Sequence, residues 1–168
     1  MNKERPAGKN TALLLSLVLI AATLLFYSGS FKNDFVWDDR SLILDCPYLY
    51  SLSHWQKLFV HNVGYSGGAR NNFYRPLYSL LNAVNYRMGG GTPFFFHLTN
   101  TLLHASTAAL VFILIYLISK ERLVAFATAL LFALHPVQTQ AVTYIAGRAD
   151  PLYLLFALAA FIFFIIYL

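Results

Sequence analysis

The amino-acid sequence predicts an all-α membrane protein, a bundle of about four transmembrane helices with one long outer loop. Hydrophobic residues make up 58% of the chain and charged residues only 11%, and the mean hydropathy is +0.58. Soluble domains contain about 25% charged residues, so this composition excludes an ordinary soluble fold. The net charge of +5 comes from basic residues that are scattered or flank apolar runs, so it indicates membrane topology rather than nucleic-acid binding.

Four apolar stretches are each interpreted as one helix, because a span needs about 20 residues. The predicted helices cover residues 10–29, 93–119, 122–135 and 151–168, all within one transmembrane domain. The third is short, so it either begins before Arg122 or continues past Pro136 with a kink. The first follows a basic start without a clear small-residue cleavage site, so we interpret it as a retained signal anchor. Because the sequence stops inside an apolar run, we expect a longer gene product.

Basic residues set the expected orientation. They flank the first span and occupy the turn between the second and third, at Lys3, Arg5, Lys9, Lys120 and Arg122. The positive-inside rule therefore predicts a cytoplasmic N-terminus. The loop 30–92 and the turn 135–150 then share the opposite side, periplasmic or lumenal, and we favour a bacterial inner membrane over the endoplasmic reticulum.

The outer loop, residues 30–92, contains two predicted helices. A short helix follows Ser51, which is a suitable N-cap, and a longer one begins with Pro76 at its first position. The longer helix is amphipathic, so we expect it to lie in the membrane interface. Its apolar stripe comprises Leu77, Leu80, Leu81 and Val84, and its polar face comprises Ser79, Asn82 and Tyr86.

The second span carries a polar face, because its polar residues follow at steps of three or four: His97, Asn100, Thr101, His104 and Thr107. Polar groups at membrane depth need partners, so this face points into the bundle or into a wet cavity. We favour interhelical hydrogen bonds, with histidines acting as proton carriers or metal ligands as the alternative. Seven residues separate the two histidines by about 10 Å, too far to chelate one ion.

Polar residues near the membrane also mark the second outer turn. Asp150 precedes Pro151, a pattern typical of a helix start with aspartate as the N-cap. Arg148 lies beside that helix N-terminus, and its planar guanidinium suits a phosphate group. His135 and Gln140 stand in the same turn as supporting candidates.

Two adjacent carboxylates, Asp38 and Asp39, follow the first span closely. A solvated loop is the simplest interpretation of such a pair. Acids close to a bilayer nevertheless invite a functional explanation, and here they share a face with Arg148. A positioned carboxylate is the group needed to deprotonate a hydroxyl nucleophile.

An ordered set of short motifs resembles the TMTC-type membrane proteins and their bacterial relatives, of the GT-C glycosyltransferase class that includes the protein O-mannosyltransferases. The motifs are FVWDD at 35–39, YRPL at 74–77, FHLTN at 96–100 with Leu103 and His104, and HPVQTQAV at 135–142 with GRAD at 147–150. The resemblance implies transfer of a sugar from a polyprenyl-phosphate donor to serine or threonine hydroxyls of an acceptor protein outside the cytoplasm. It also implies a base in the first outer loop, Asp38 or Asp39, with a slight preference for Asp39.

Further roles follow from that resemblance. Positive charge for the donor phosphate would come from Arg148, from Arg75 or from a divalent cation. The remaining candidates, Asp150, His135, Gln140, His97 and His104, would support the site, and the amphipathic loop helix could border the entry of the lipid. Gln140 stands where many relatives carry glutamate, which weakens an acid role there.

Two other interpretations remain open. The relatives have further spans and usually a tetratricopeptide array, and no repeat of that period is visible in this sequence. A non-catalytic membrane subunit that binds partner proteins or lipid is therefore the main alternative. A transporter fragment is compatible with the polar second span, but no inverted repeat supports it.

Overall fold

The computed structural model describes residues 6–69 and 71–168, with side chains described from Asn10 onward. Lys3 and Arg5, on which the predicted orientation partly rests, lie outside the described residues, as does the Lys9 side chain. The α-helices are α1 (Pro6–Tyr27), α2 (Trp55–Leu58), α3 (Pro76–Gly89), α4 (Pro93–Ser119), α5 (Arg122–Leu134), α6 (Thr139–Thr143) and α7 (Ala149–Tyr167). Short 3-10 and π-helical turns join them, and the described part of the chain contains no β-strand, which confirms the all-α prediction.

Three helical segments are long and apolar enough to cross a membrane: Asn10–Lys32, Pro93–Ser119 and Ile145–Tyr167. A fourth candidate is the pair Arg122–Leu134 and Pro136–Thr143, which is bent by 48°. Proline cannot continue the hydrogen-bond ladder of a helix, so the bend at Pro136 has a local cause. The protein is therefore an integral membrane protein of the expected helical type, with the kinked third span foreseen as one alternative.

Helix α4 is the centre of the bundle, since α1, α3, α5 and α7 all pack against it. On its apolar side Phe112 packs with Leu19 of α1 and with Ala125 and Ala129 of α5, all fully or almost fully buried. Alanines at this contact let the two backbones approach closely, which is how helices associate in lipid. Helices α4 and α5 run antiparallel. The turn at Lys120 therefore lies at one end of the helical bundle, and the outer loop lies at the other.

The polar face of α4 points into the bundle and binds neighbouring segments. His97 Nε2 donates to the Asn33 carbonyl at 3.2 Å, and His104 Nε2 donates to the Ala133 carbonyl at 3.0 Å. Asn100 Nδ2 donates to the carbonyls of Tyr144 and Ile145, at 3.0 and 3.3 Å. The five predicted polar residues are all buried. Four of them join α4 to other segments by hydrogen bonds, as favoured from the sequence, whereas the Thr101 hydroxyl donates to the His97 carbonyl of its own helix.

The loop helix α3 begins at Pro76 as predicted, but its polar face is buried as well as part of its apolar stripe. Tyr78, Ser79, Asn82 and Asn85 are buried, whereas Leu77 of the predicted apolar stripe is exposed. The reason is that α3 packs along the polar N-terminal half of α4, where Thr99 Oγ1 lies 2.9 Å from the Asn85 side chain. The prediction of a simple interfacial helix is therefore wrong for its polar face, which is internal.

The short helix after Ser51 is also present. The Ser51 hydroxyl accepts a hydrogen bond from the Ser53 backbone N–H at 3.2 Å and caps the turn Leu52–His54, which leads into α2. Leu58 of α2 then joins a core with Ile43, Ala83 and Phe96. The outer loop is thus packed onto α3 and α4 by its own apolar residues.

Replacing Asn100 with leucine should lower the stability of the bundle by about 1–2 kcal/mol, because two carbonyls of the 144–145 segment would lose their donor. Thermal unfolding of the purified protein in detergent measures this effect. Thr128→Val is the matched control, since Thr128 is exposed on α5 and its hydroxyl donates only to Val124 of its own helix. Equal melting temperatures for the two variants would contradict the role assigned to Asn100.

Candidate functional site

Asp39 is completely buried and ties the first outer loop to the segment that precedes α7. Its Oδ1 accepts the Ala146 backbone N–H at 2.8 Å, across 107 positions of sequence, and its Oδ2 accepts the Val36 backbone N–H at 3.0 Å. Burial raises the pKa of the Asp39 carboxyl above its usual value, while these two N–H groups and the charge of Arg148 act to lower it. Asp39 therefore has both oxygens engaged inside the protein.

Asp38 is the exposed member of the pair. The Asp39 backbone N–H donates to the Val36 carbonyl at 3.0 Å, so Trp37 and Asp38 are the two central residues of a tight turn. The neighbouring phenol is that of Tyr144, whose pKa is raised to about 12 by burial and by the charges of Asp38 and Asp39. The turn thus presents an exposed carboxylate within hydrogen-bond reach of a phenol that stays protonated at neutral pH.

An open groove of about 790 Å³ borders this turn. Trp37 and Tyr144 form part of its wall, with their ring centroids 5.5 Å apart and their planes at 71°. The remaining lining residues are Asn33, Asp34, Val36, Pro136, Val137, Thr139, Gln140 and Thr143. The groove combines aromatic, apolar and hydrogen-bonding groups, as ligand sites usually do.

The structure places Gln140 in this groove but gives His135 and Asp150 other roles. His135 is exposed, and its Nδ1 accepts the Val137 N–H at 3.2 Å, which caps the turn Pro136–Gln138. Asp150 is exposed inside the first turn of α7, which already begins at Ala149, and no side-chain capping bond is made there. The predicted N-cap at Asp150 is therefore wrong, because the preceding 3-10 turn, Ile145–Arg148, leads directly into the helix.

Arg148 is fully buried, so it is not at a surface that a donor phosphate could reach. Its terminal nitrogen donates to the Phe96 carbonyl at 3.0 Å, and its guanidinium lies 5.4 Å from the centre of the Phe96 ring. When the Asn85 amide is oriented with its oxygen toward the guanidinium, both terminal nitrogens also donate to it, at 3.0 and 3.2 Å. The geometry is that of an internal cross-link between α3, α4 and the start of α7.

Gly147 allows this cross-link to form. A Cβ at this position would lie 2.6 Å from the Gln140 carbonyl oxygen, closer than side-chain carbons come to other atoms. The chain can therefore fold back tightly after α6, which brings the Ala146 N–H to Asp39 and the Arg148 side chain into the core.

Arg75 occupies a different place, at the N-terminal end of α3. Its guanidinium lies 4.6 Å from the centre of the Phe73 ring and 5.9 Å from that of Tyr153 on α7. It lines a mostly apolar groove of about 160 Å³ together with Leu77, Leu152 and Phe156. A partly exposed cation at one side of an apolar groove suits an anionic lipid headgroup better than the buried Arg148 does.

No group of three or more histidine, cysteine, aspartate or glutamate side chains that could hold a metal ion occurs in the described part of the chain. His97 and His104 each bind a backbone carbonyl instead. The divalent cation considered from the sequence remains a prediction, because Mg²⁺ is usually held by one or two carboxylates together with substrate phosphates.

Sequence reasoning missed Trp37, Tyr144 and Asn85 as parts of this site. Trp37 stands in the same motif as the two aspartates, so its position was a usable signal. Tyr144 and Asn85 gave no such signal, because their importance depends on contacts with residues that are distant in sequence.

The fold and the site define a polytopic helical membrane protein with an open groove beside the turn 36–39, and comparison with known proteins shows what it is similar to. The chain is 36% identical over 156 residues to the protein O-mannosyl-transferase TMTC1 of Mus musculus, and this match covers 86% of the chain and 16% of that relative. It is 32% identical over 143 residues to TMTC2 of Homo sapiens, covering 82% of the chain and 17% of the relative. It is 34% identical over 157 residues to TMTC3 of Mus musculus, covering 92% of the chain and 16% of the relative.

The chain is therefore similar over most of its length to the TMTC protein O-mannosyl-transferases, which confirms the resemblance seen in its motifs. It spans about a sixth of the length of these relatives. No protein-family model matches the chain, and no solved structure matches it. These relatives come from animals, and the bacterial inner membrane remains a prediction.

Asp39→Ala should destabilise the protein by about 2–4 kcal/mol, since two buried backbone N–H groups would lose their acceptor and Arg148 its nearby negative charge. Asp38→Ala is the matched control, because the adjacent carboxylate is exposed and its removal should hardly change stability. Thermal unfolding in detergent compares the two variants. A larger loss for Asp38→Ala than for Asp39→Ala would contradict the division of roles between the pair.

Proposed function

We propose that this chain forms part of a membrane glycosyltransferase that modifies proteins, with the groove beside Asp38 as its reaction site. The observation that carries the proposal is an exposed carboxylate in a tight turn whose neighbouring residues, Val36 and Trp37, line a ligand-sized groove. The relatives are named protein O-mannosyl-transferases, which supports transfer of mannose to proteins. The proposed acceptor groups are serine and threonine hydroxyls.

Asp38 is proposed as the catalytic base in place of Asp39. Its carboxylate is exposed, whereas both oxygens of Asp39 already accept backbone hydrogen bonds. In the proposed step the acceptor oxygen attacks the anomeric carbon of the sugar while Asp38 takes the hydroxyl proton. The bond between that carbon and the phosphate oxygen breaks, and its electron pair leaves with the lipid phosphate.

Arg75 is proposed to bind the phosphate of a polyprenyl-phosphate sugar donor. The apolar groove that it lines between α3 and α7 offers contact for the first part of a lipid chain. The charges of Arg75, Arg148 and Asp39 all act on the pKa of the buried Tyr78 phenol, which lines the groove beside Arg75. Positive charge near the leaving phosphate would stabilise the charge that develops as the bond breaks.

We place both grooves on the periplasmic or lumenal side of the membrane, with the N-terminus in the cytoplasm. The support is the position of Lys120 and Arg122 at the end of the bundle opposite the outer loop. An acceptor protein would then meet the enzyme outside the cytoplasm.

A non-catalytic membrane subunit that binds partner proteins or lipid is the second candidate. One observation favours it: Asp39 and Arg148, two charged residues of the shared motifs, are used for internal contacts. If the motifs persist only to keep the fold, the exposed Asp38 has no chemical role, and the next experiment distinguishes the two functions.

Asp38→Asn should reduce transfer of mannose to an acceptor protein by about 100-fold or more, because an amide cannot take the proton. The assay measures glycosylation by the full chain in proteoliposomes supplied with a polyprenyl-phosphate mannose. Asp45→Asn is the control, since Asp45 is a surface acid that pairs with Arg40 and lies outside the turn that borders the groove. Full activity of Asp38→Asn would refute the enzymatic role of this groove.

Arg75→Gln should raise the KM for the lipid donor about tenfold and leave the KM for the acceptor unchanged, since one charge-assisted contact to phosphate is lost. Arg87→Gln is the matched control, because Arg87 lies exposed near the other end of the same helix. Equal donor KM values for the two variants would remove Arg75 from the donor site.

A further inference from the structure

Trp37 has an unusual conformation for a large residue. Its φ is +49°, and within the described residues only Lys120 is another non-glycine residue with a positive φ. This region costs free energy for residues with a Cβ, and it persists only where the surroundings impose it. Here Asp39 imposes it, because its backbone N–H and its Oδ2 both bind Val36 and close the turn around Trp37.

The strained turn does not bury the indole. Trp37 is 81% exposed, and it meets Tyr144 through an edge-to-face ring contact at the groove wall. A large aromatic side chain held in a fixed direction but left open to solvent is a typical ligand contact. Packing of the protein itself does not account for it, since the hydrophobic core clusters of the described residues do not include Trp37.

The chemistry around Trp37 fits a sugar ring. A hexopyranose has an apolar C–H face that can pack on an aromatic ring and hydroxyls at its edge that need hydrogen-bond partners. The groove supplies such partners from Asn33, Thr139, Gln140 and Thr143. A lipid chain would leave these polar groups unpaired, so an apolar ligand fits the groove less well.

From this arrangement we propose that Trp37 is the stacking platform for the hexose that is transferred. Trp37 and Asp38 are consecutive residues of one turn, so a sugar on the indole would lie beside the proposed base. The strain in the turn then serves to hold the platform and the base in one fixed relation, anchored by Asp39. The inference rests on the proposed function and assigns the sugar-binding part of the same groove.

Direct binding can be followed through tryptophan fluorescence, because the sequence contains only Trp37 and Trp55. In a Trp55→Phe variant of the full chain, titration with methyl α-D-mannopyranoside should change the Trp37 emission in a saturable way. The acyclic polyol mannitol, which has no ring face, should cause no such change. A response equal for both compounds, or none for either, would overturn the sugar platform.

Kinetics provide the second readout. Trp37→Leu should raise the donor KM about tenfold, while Trp37→Phe should retain part of the affinity because it keeps an aromatic face. Trp55→Leu, an exposed tryptophan of α2 outside the groove, is the control. An increase confined to the KM of an acceptor peptide would assign Trp37 to the acceptor instead and overturn the proposal.

Failure of this inference and failure of the proposed function give different results. If the groove binds sugar but is not catalytic, the fluorescence response persists while Asp38→Asn keeps full activity. If the groove is catalytic but Trp37 does not bind sugar, Asp38→Asn is inactive while Trp37→Leu behaves as the wild type.

Discussion

The two hydrogen bonds that Asp39 accepts are the constraint on which the outer half of this structure depends. They connect the Val36 and Ala146 backbone N–H groups through one buried carboxylate, and so fix the first outer loop against the start of α7. A carboxylate is suited to this task because it offers two acceptors and no donor. Its burial is costly, and the nearby charge of Arg148 offsets part of that cost.

Helix α4 is joined to its neighbours by contacts of the same kind, in which a buried side chain binds backbone groups of a distant segment. Apolar side chains cannot specify how helices meet in lipid, since lipid tails are equally apolar. Here the specificity comes from side-chain donors that reach carbonyls of other segments, with His97 binding the first loop, Asn100 the 144–145 segment and His104 the end of α5. These carbonyls lie where helices end or break, so α4 satisfies groups that the helices themselves leave free.

The sequence allowed the helical membrane class, the bounds of α4 and the polar face of α4 to be predicted, because these follow from hydropathy and periodicity. It did not allow the burial of the polar face of α3 to be predicted, since Thr99, the hydrogen-bond partner of Asn85, belongs to another helix. The same limit applied to the charged residues of the site. A helix-terminal Arg148 suggests an anion site, and only the packing shows that Phe96 and Asn85 already bind its two terminal nitrogens.

Adjacent acids in one motif can therefore have separate physical tasks. Motif reading treats Asp38 and Asp39 as equivalent candidates, because both can take a proton. In the fold they differ completely: one is enclosed and engaged by N–H donors, whereas the other stands at the tip of the turn that the first one closes. A base needs access to its substrate and a fixed position. Asp38 is exposed, and Asp39 holds the turn that carries Asp38 in a fixed position. This turn requires a strained backbone conformation at Trp37, which has a positive φ.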